Sequence, residues 1–497
     1  MSPLVAAVLL PLLVGGALVV ARTRVGGRPA AVAGVVTTAV SAVLVLTSWA
    51  ARSADARAGE VDVPWIDALG ARWHLGMDGI SLPFVLMTLL LGLLCCLSLV
   101  DHCPDGDGPP GVLVGLVLLV VGAALGVFTA LDLLLFFVFF ELALIPMWFV
   151  VARWGDEAAG RQAAATRFLV FTVTGSALML TGFISVARLA GSLQLTDLSV
   201  LRVLVTGPVG AFAALTILLG LAVKTPVWPL HTWLPDAHAA APTVGSVLLA
   251  GVFLKLGTYG LLRVWLAVAP EPAARLAPWL AAFGVVGILW SSLACLRQHD
   301  LKRLIAFSSV GHMGFVVLGL STMSEVGVAA AVLGSVAHGV VTGLLFFLAG
   351  ALKRRYGSTS WDAIGRGLYL RTPWTAGVLA FAAIASLGLP GLAVFWGELL
   401  ALRAAYEVGP VLGRPLAWTL LGLAALGVVL TSAYVVAMLR RVLQGVPTPD
   451  DRDADLQGSD VPVVGVLVVA TVALGLAPGL VLGVVEPDLL AVLGGVR

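Results

Sequence analysis

The chain has 497 residues, of which 60% are hydrophobic and only 11% charged, and its mean hydropathy is +1.05. No soluble domain carries that balance, so the sequence reads as an all-α polytopic membrane protein, and a net charge of +2 argues against a nucleic-acid partner. The four cysteines, Cys95, Cys96, Cys103 and Cys295, form no paired CxxC spacing, which argues against iron–sulfur or zinc ligation and against structural disulfides.

A membrane span needs about 20 apolar residues. In chain order such runs cover 2–21, 30–50, 79–100, 111–130, 132–152, 164–187, 208–228, 242–264, 276–296, 303–321, 327–351, 372–401, 416–439 and 461–485, about fourteen helices. The first is followed by Arg22, Arg24 and Arg28. It lacks a basic leader and is longer than the apolar core of a signal peptide, so it reads as a retained helix.

Within these runs a few ionisable residues stand alone. Glu141 lies inside the fifth span, Lys224 near the end of the seventh, Lys255 in the middle of the eighth and Glu398 in the twelfth. A charge at the bilayer centre costs roughly 2.5–3.5 kcal/mol on insertion scales, so such residues mark ion or proton paths. An acid and a base buried together are most cheaply satisfied by each other, so Glu141 and Lys224 are expected to pair. Burial disfavours the charged form of a lysine, so a pair that opens is a way to release a proton. A static ion pair that fixes helix packing is the alternative. Lys255 has no acid in its own run and sits too deep to snorkel easily.

Two spans are interrupted. Lys224-Thr225-Pro226-Val227-Trp228-Pro229 breaks the seventh and Leu387-Gly388-Leu389-Pro390-Gly391 the twelfth. Proline removes a backbone donor, and in membranes such breaks persist where they are buried in protein or line a wet cavity. Paired breaks five helices apart point to a transporter built of two inverted repeats; incidental kinks are the alternative. His231, Asp236 and His238 follow the first break and suit an inward mouth; nothing in their spacing favours a metal. His312 and His338, on neighbouring spans, could relay protons between stronger groups, because imidazole both donates and accepts, or could simply hydrogen-bond in packing. Asp132 opens the fifth span, where a helix N-cap is the plain reading.

Loop charge gives an orientation. With the N-terminus outside, the inward loops hold Arg22, Arg24, Arg28, Arg153, Arg161, Arg167, Arg297, Lys302, Arg303, Lys353–Arg355, Arg366, Arg371, Arg440, Arg441 and Arg452, and the outward side holds fewer, among them Arg263 and Arg497. The positive-inside rule then puts both termini outside.

Several of these runs are recognisable. Val223-Lys224-Thr225-Pro226-Val227-Trp228-Pro229-Leu230-His231-Thr232-Trp233-Leu234-Pro235-Asp236-Ala237-His238, continuing to Lys255, resembles the signature of the proton-pumping antiporter-like subunits of NADH:quinone oxidoreductase, respiratory complex I. Asp300 to Gly314, Glu141 to Met147 and Gly388-Leu389-Pro390-Gly391…Gly397-Glu398 resemble the same family, over roughly residues 70–440. Glu398, where other branches carry lysine, makes the chain most similar to the M-type branch (chain 4).

The resemblance implies a fourteen-helix fold in four parts: helices one to three (1–110), a first inverted repeat (111–265), a second (266–441), and a loop with the last helix (442–497). It implies a Glu141–Lys224 pair, Lys255 as central carrier, a histidine link at His312 and His338, and Glu398 as the outward terminus. It further implies a bacterial plasma-membrane subunit without a redox centre. NADH, FMN, iron–sulfur clusters and quinone would belong to partner subunits, and its neighbours would be other membrane subunits of the complex, above all the L-type and N-type, within the lipid bilayer. A subunit of an Mrp-type cation/proton antiporter, or of a membrane-bound hydrogenase or formate-linked complex, is the alternative. Two departures stand out: Ala240 replaces a frequent glutamate, which puts a salt bridge of the inward loop in doubt, and Arg167 replaces a frequent lysine, keeping charge but not proton exchange.

Overall fold

The structure, a computed structural model, describes residues 2–53, 56–408, 411–446 and 455–493. Arg452 and Arg497, both used in the loop-charge comparison, lie outside these described residues. The main elements in chain order are α1 (Pro3–Ala21), α2 (Gly27–Ala50), β1 (Ala58–Ile66), β2 (Ala71–Met77), α3 (Ser81–Asp101), α4 (Pro110–Thr129), α5 (Leu133–Trp154), α6 (Arg161–Ala190), α7 (Leu195–Leu201) and α8 (Gly207–Lys224). They continue with α9 (Trp233–Ala240), α10 (Thr243–Val268), α11 (Pro270–Leu296), α12 (Leu301–Ser321), α13 (Glu325–Tyr356), α14 (Pro373–Ser386), α15 (Ala393–Tyr406), α16 (Arg414–Leu443), α17 (Asp460–Leu476) and α18 (Gly479–Leu493). Twelve of these helices are long and apolar enough to cross a membrane, or thirteen if Asp460–Leu476 and Gly479–Leu489, bent by 59°, form one span.

The run expected over 372–401 is two fourteen-residue helices, α14 and α15, separated by 387–392. Gly388 and Gly391 take φ of +78° and +90°, a left-handed backbone that glycine tolerates without steric cost, and Pro390 between them offers no amide hydrogen. The run expected over 208–228 stops at Lys224, just ahead of Pro226 and Pro229. Both sequence breaks are thus helix ends.

The hairpin β1–β2 departs from the all-α expectation. Its strands pair antiparallel, with Asp62 opposite His74, Val63 opposite Trp73 and Pro64 opposite Arg72. A third extended segment joins them, because the linker from α4 to α5 runs beside β2. Leu131 N donates to His74 O at 2.9 Å, and Leu195 N donates to Leu131 O at 2.8 Å. The start of α5 is therefore gripped between β2 and the segment before α7.

Caps follow the residue types. Asp132 accepts from Leu134 N and Leu135 N at 2.8 and 2.9 Å, Asp300 from Arg303 N at 2.9 Å and Ser324 from Gly327 N at 3.1 Å, opening α5, α12 and α13. Where α11 crosses α12 the backbones touch: a Cβ on Gly314 would stand 2.6 Å from Gly284 O. Such close approach by small residues is how helices associate in lipid. The spans most enclosed by the rest of the protein include α10, α12 and α13, whereas α1, α2, α6 and α16 leave most of their surface open. The enclosed helices are the ones that carry Lys255, His312 and His338.

Candidate proton-transfer site

Lys255 is fully buried on α10. Two π-helical turns, Leu249–Phe253 and Leu261–Trp265, bracket the α-helical segment that holds it; such insertions recur at functional sites. Its ammonium donates to Ala250 O at 2.6 Å and to His338 Nδ1 at 2.5 Å. With Nδ1 accepting, His338 carries its own proton on Nε2, which has no partner among the described residues. That arrangement suits a relay: a proton arriving at Nδ1 releases another from Nε2.

The imidazoles of His338 on α13 and His312 on α12 lie edge to face with centroids 5.5 Å apart. A small cavity between them is lined by both histidines, Gly334, Gly397 and Glu398, and has room for about one water molecule. His312 Nδ1 donates to Glu398 Oε1 at 2.9 Å, and its Nε2 accepts from the Ser386 hydroxyl at 3.2 Å. Ser386 is the last residue of α14 and Glu398 sits early in α15, so His312 ties together the two halves of the broken run. Gly388 in the break is equally close: a Cβ there would stand 3.1 Å from Glu398 Oε2. The second break therefore bends the chain so that a carboxylate and a hydroxyl meet one imidazole.

The first break positions Lys224 differently from the expectation. Among the described residues Glu141 and Lys224 do not close into an ion pair, and neither Glu141 Oε1 nor Lys224 Nζ has a hydrogen-bond partner. The ammonium sits over the Phe253 ring at 3.6 Å and the Phe140 ring at 4.2 Å. Aromatic faces stabilise a desolvated cation by about 2 kcal/mol, which is how the lysine is held without the carboxylate. Phe140 precedes Glu141, and Phe253 lies two residues before Lys255. Gly257 packs against Thr225, so the break rests directly on the Lys255 helix.

His231, Asp236 and His238 do not form one mouth. His231 and Asp236 line a cavity of about 330 Å³ with Trp228, Trp290, Arg303 and Phe307. His238 does not line it; fully buried, it stacks on Phe346 at 4.6 Å. Asp236 pairs with Arg167 and, at 2.9 Å, with Arg303, so ion pairs form in this loop although position 240 is alanine. Pro226, Pro229, Pro390 and Gly391 lie in the two breaks. Among the described residues no cluster of His, Cys, Asp and Glu could hold a metal.

Several functional-looking residues had no distinct signal in the sequence. Lys302, counted as a loop charge, is buried; its ammonium donates to Ala241 O at 2.5 Å beside a cavity of about 700 Å³ that Asp156, Arg161 and Lys353 also line. Arg263, also counted as a loop charge, is buried and paired with Asp78. Ser386, Phe140 and Phe253 look like ordinary membrane residues until the fold brings them to the site.

A profile for the NADH:quinone oxidoreductase/Mrp antiporter transmembrane family matches residues 130–424. The chain is 38% identical over 425 residues to the NAD(P)H-quinone oxidoreductase chain 4 1 of Synechococcus sp. (strain JA-2-3B'a(2-13)), covering 84% of this chain and 78% of that one. It is 37% identical over 461 residues to the NADH-quinone oxidoreductase subunit M of Pseudomonas aeruginosa, covering 89% and 88%. Among solved structures, a chain of respiratory complex I from Thermus thermophilus with bound NADH superposes with a TM-score of 0.87 at 31% identity, over 99% of each chain.

Proposed function

The chain belongs to the NADH:quinone oxidoreductase/Mrp antiporter transmembrane family, and from that premise we propose how it moves protons. It is an M-type, proton-translocating membrane subunit of NADH:quinone oxidoreductase and acts as part of that larger enzyme. In our reading Glu141 and Lys224 form the inner gate. Lys224, held on two aromatic rings, gives its proton towards Lys255 when the charge of Glu141 is withdrawn. Lys255 passes a proton to His338 Nδ1, His338 releases one from Nε2 towards His312, and His312 delivers it to Glu398, the outward terminus. The protonated Glu398 then loses its proton to the outside and restores the acceptor for His312 Nδ1–H. The single observation that supports this route best is the run of contacts Lys255–His338–His312–Glu398, through three enclosed helices and the early part of α15.

The finer architecture belongs to the same proposal. We count fourteen spans by adding the α14–α15 pair and the α17–α18 pair to the twelve long helices. Residues 111–265 and 266–441 are then inverted repeats, flanked by 1–110 and 442–497. Both termini face outward, NADH, FMN, iron–sulfur clusters and quinone reside in partner subunits, and L-type and N-type subunits are the membrane neighbours. Lys224→Ala and Glu141→Ala in the assembled complex test the route. Each is expected to abolish pumping while assembly stays intact, and normal pumping in both would sink it.

A further inference from the structure

A second buried polar chain lies away from this route, where the hairpin meets the start of the Glu141 helix. His74 on β2 is 4% exposed. Its Nδ1 lies 2.8 Å from Gln194 Oε1 and its Nε2 lies 2.8 Å from Glu60 Oε1. The direction of each bond follows from Asp132. That carboxylate is taken up by four donors: Leu134 N and Leu135 N on Oδ1, and Arg72 N (3.2 Å) and the Gln194 amide on Oδ2. No acceptor position is left for an acid proton, so Asp132 is ionised and the Gln194 amide nitrogen must face it. The Gln194 oxygen then faces His74 Nδ1, which must carry a hydrogen. On the other side a second proton has to lie between Nε2 and Glu60 Oε1, since two bare lone pairs cannot meet at 2.8 Å. Arg57, 3.3 Å from the same Glu60 oxygen, favours the carboxylate, so that proton resides on the imidazole.

We propose that His74 and Glu60 form a proton-binding site on the hairpin, and that its occupancy completes a chain of hydrogen bonds from Glu60 on β1 through His74 and Gln194 to Asp132 at the start of the helix that carries Glu141. Removing the proton, which passes to bulk water beside the partly exposed Glu60, leaves an imidazole lone pair against a carboxylate and opens the chain at that link. The other charged groups nearby do not take over this role. Arg72 and Asp62 pair with each other on the hairpin, and Asp67 lies at its turn. Asp197, near the start of α7, accepts from Ser192. The helices α1 and α4 carry no titratable side chain, Arg28 at the start of α2 is at the opposite end, and Glu141 lies more than two turns into α5. Because Asp132 caps α5, the site couples proton activity on the hairpin side to the seating of the Glu141 helix. That the hairpin side is the outside rests on the orientation proposed above.

The test is hydrogen exchange by mass spectrometry on the assembled complex, following residues 71–77 and 130–136 and corrected for intrinsic rates. Measurements are made at about pH 5.5 and about pH 8.5, on either side of neutrality. Wild type is expected to lose about tenfold in protection at the higher pH, the equivalent of roughly 1.4 kcal/mol. Glu60→Gln supplies an amide hydrogen to a neutral His74 Nε2, so its protection should be high and independent of pH. His74→Gln should be low at both values. If His74→Gln does not assemble, Glu60→Gln alone decides, because position 60 is partly exposed. A wild type without the pH response, or a Glu60→Gln variant that keeps it, overturns the proposal. Pumping in vesicles with the pH changed on one side at a time separates the two readings: a response confined to the inner side refutes the orientation and leaves the site standing.

Discussion

Lys255→Met separates what the lysine does for the fold from what it does for transport. The side chain is fully buried, and among the described residues no carboxylate lies within ion-pair distance of it. Methionine fills nearly the same volume, so no cavity term of about 2–5 kcal/mol arises, as it would for alanine. Two contacts are lost, to Ala250 O and His338 Nδ1. Leaving the histidine nitrogen without a donor costs about 1–3 kcal/mol. Against that, removing a buried cation returns roughly 2.5–3.5 kcal/mol. The two effects oppose each other, so net stability should change by less than about 3 kcal/mol. Proton movement, however, loses its carrier. The expected result is a complex that assembles normally, melts within a few degrees of wild type, and loses pumping or coupled activity. Lys255→Arg should fail equally, because a guanidinium keeps its proton throughout the physiological range. Unchanged pumping stoichiometry in Lys255→Met would refute the assignment of Lys255 as carrier, and a complex that no longer assembles would refute the energetic argument.

Three further outcomes are expected. Arg263→Ala leaves Asp78 buried and unpaired, a loss of about 3–5 kcal/mol by thermal melting of the complex. Burial pushes the Asp78 carboxyl up, but Arg263 and Ser81 outweigh it and hold it below the usual range. Its contribution is therefore present above about pH 4 and lost as acid protonates it; the deficit of Arg263→Ala should hold above about pH 4 and shrink as pH falls below it, and a deficit that stays constant through that range refutes the pairing. Gly388→Ala puts a Cβ at φ +78° and 3.1 Å from Glu398 Oε2, costing about 1–2 kcal/mol and displacing the carboxylate from His312. Pumping should fall more steeply than assembly, and an unaffected rate would argue against a tight Glu398 geometry. Phe253→Leu removes one aromatic face from Lys224 at little cost in volume; a loss of up to about 2 kcal/mol in melting is expected in the lysine background and none in Lys224→Met, so equal losses in both refute the cation–π account.

Much of the site was legible because lipid makes a charge conspicuous. Glu141, Lys224, Lys255 and Glu398 stand alone in apolar runs, and proline with glycine marked both helix breaks, since a missing amide hydrogen or a left-handed φ is a property of the residue itself. The hairpin was less visible. Its alternation, Val61, Val63 and Trp65 between Glu60, Asp62 and Pro64, is short and lies between long helical runs.

Pairing was decided only by the tertiary structure. Whether Glu141 meets Lys224 depends on how α5, α8 and α10 cross, and the crossing gives the lysine two phenylalanine rings instead of a carboxylate. Lys302 and Arg263 read as loop charges because local hydropathy is blind to what folds over a helix end, and both are buried. His74, Gln194 and Asp132 are distant in sequence and meet only because the linker before α5 is threaded between β2 and the segment before α7. The sequence by itself determined which groups are too costly to bury without a use; the packing of helices from distant parts of the chain decided which of them touch, because contact depends on long-range geometry that no local pattern encodes.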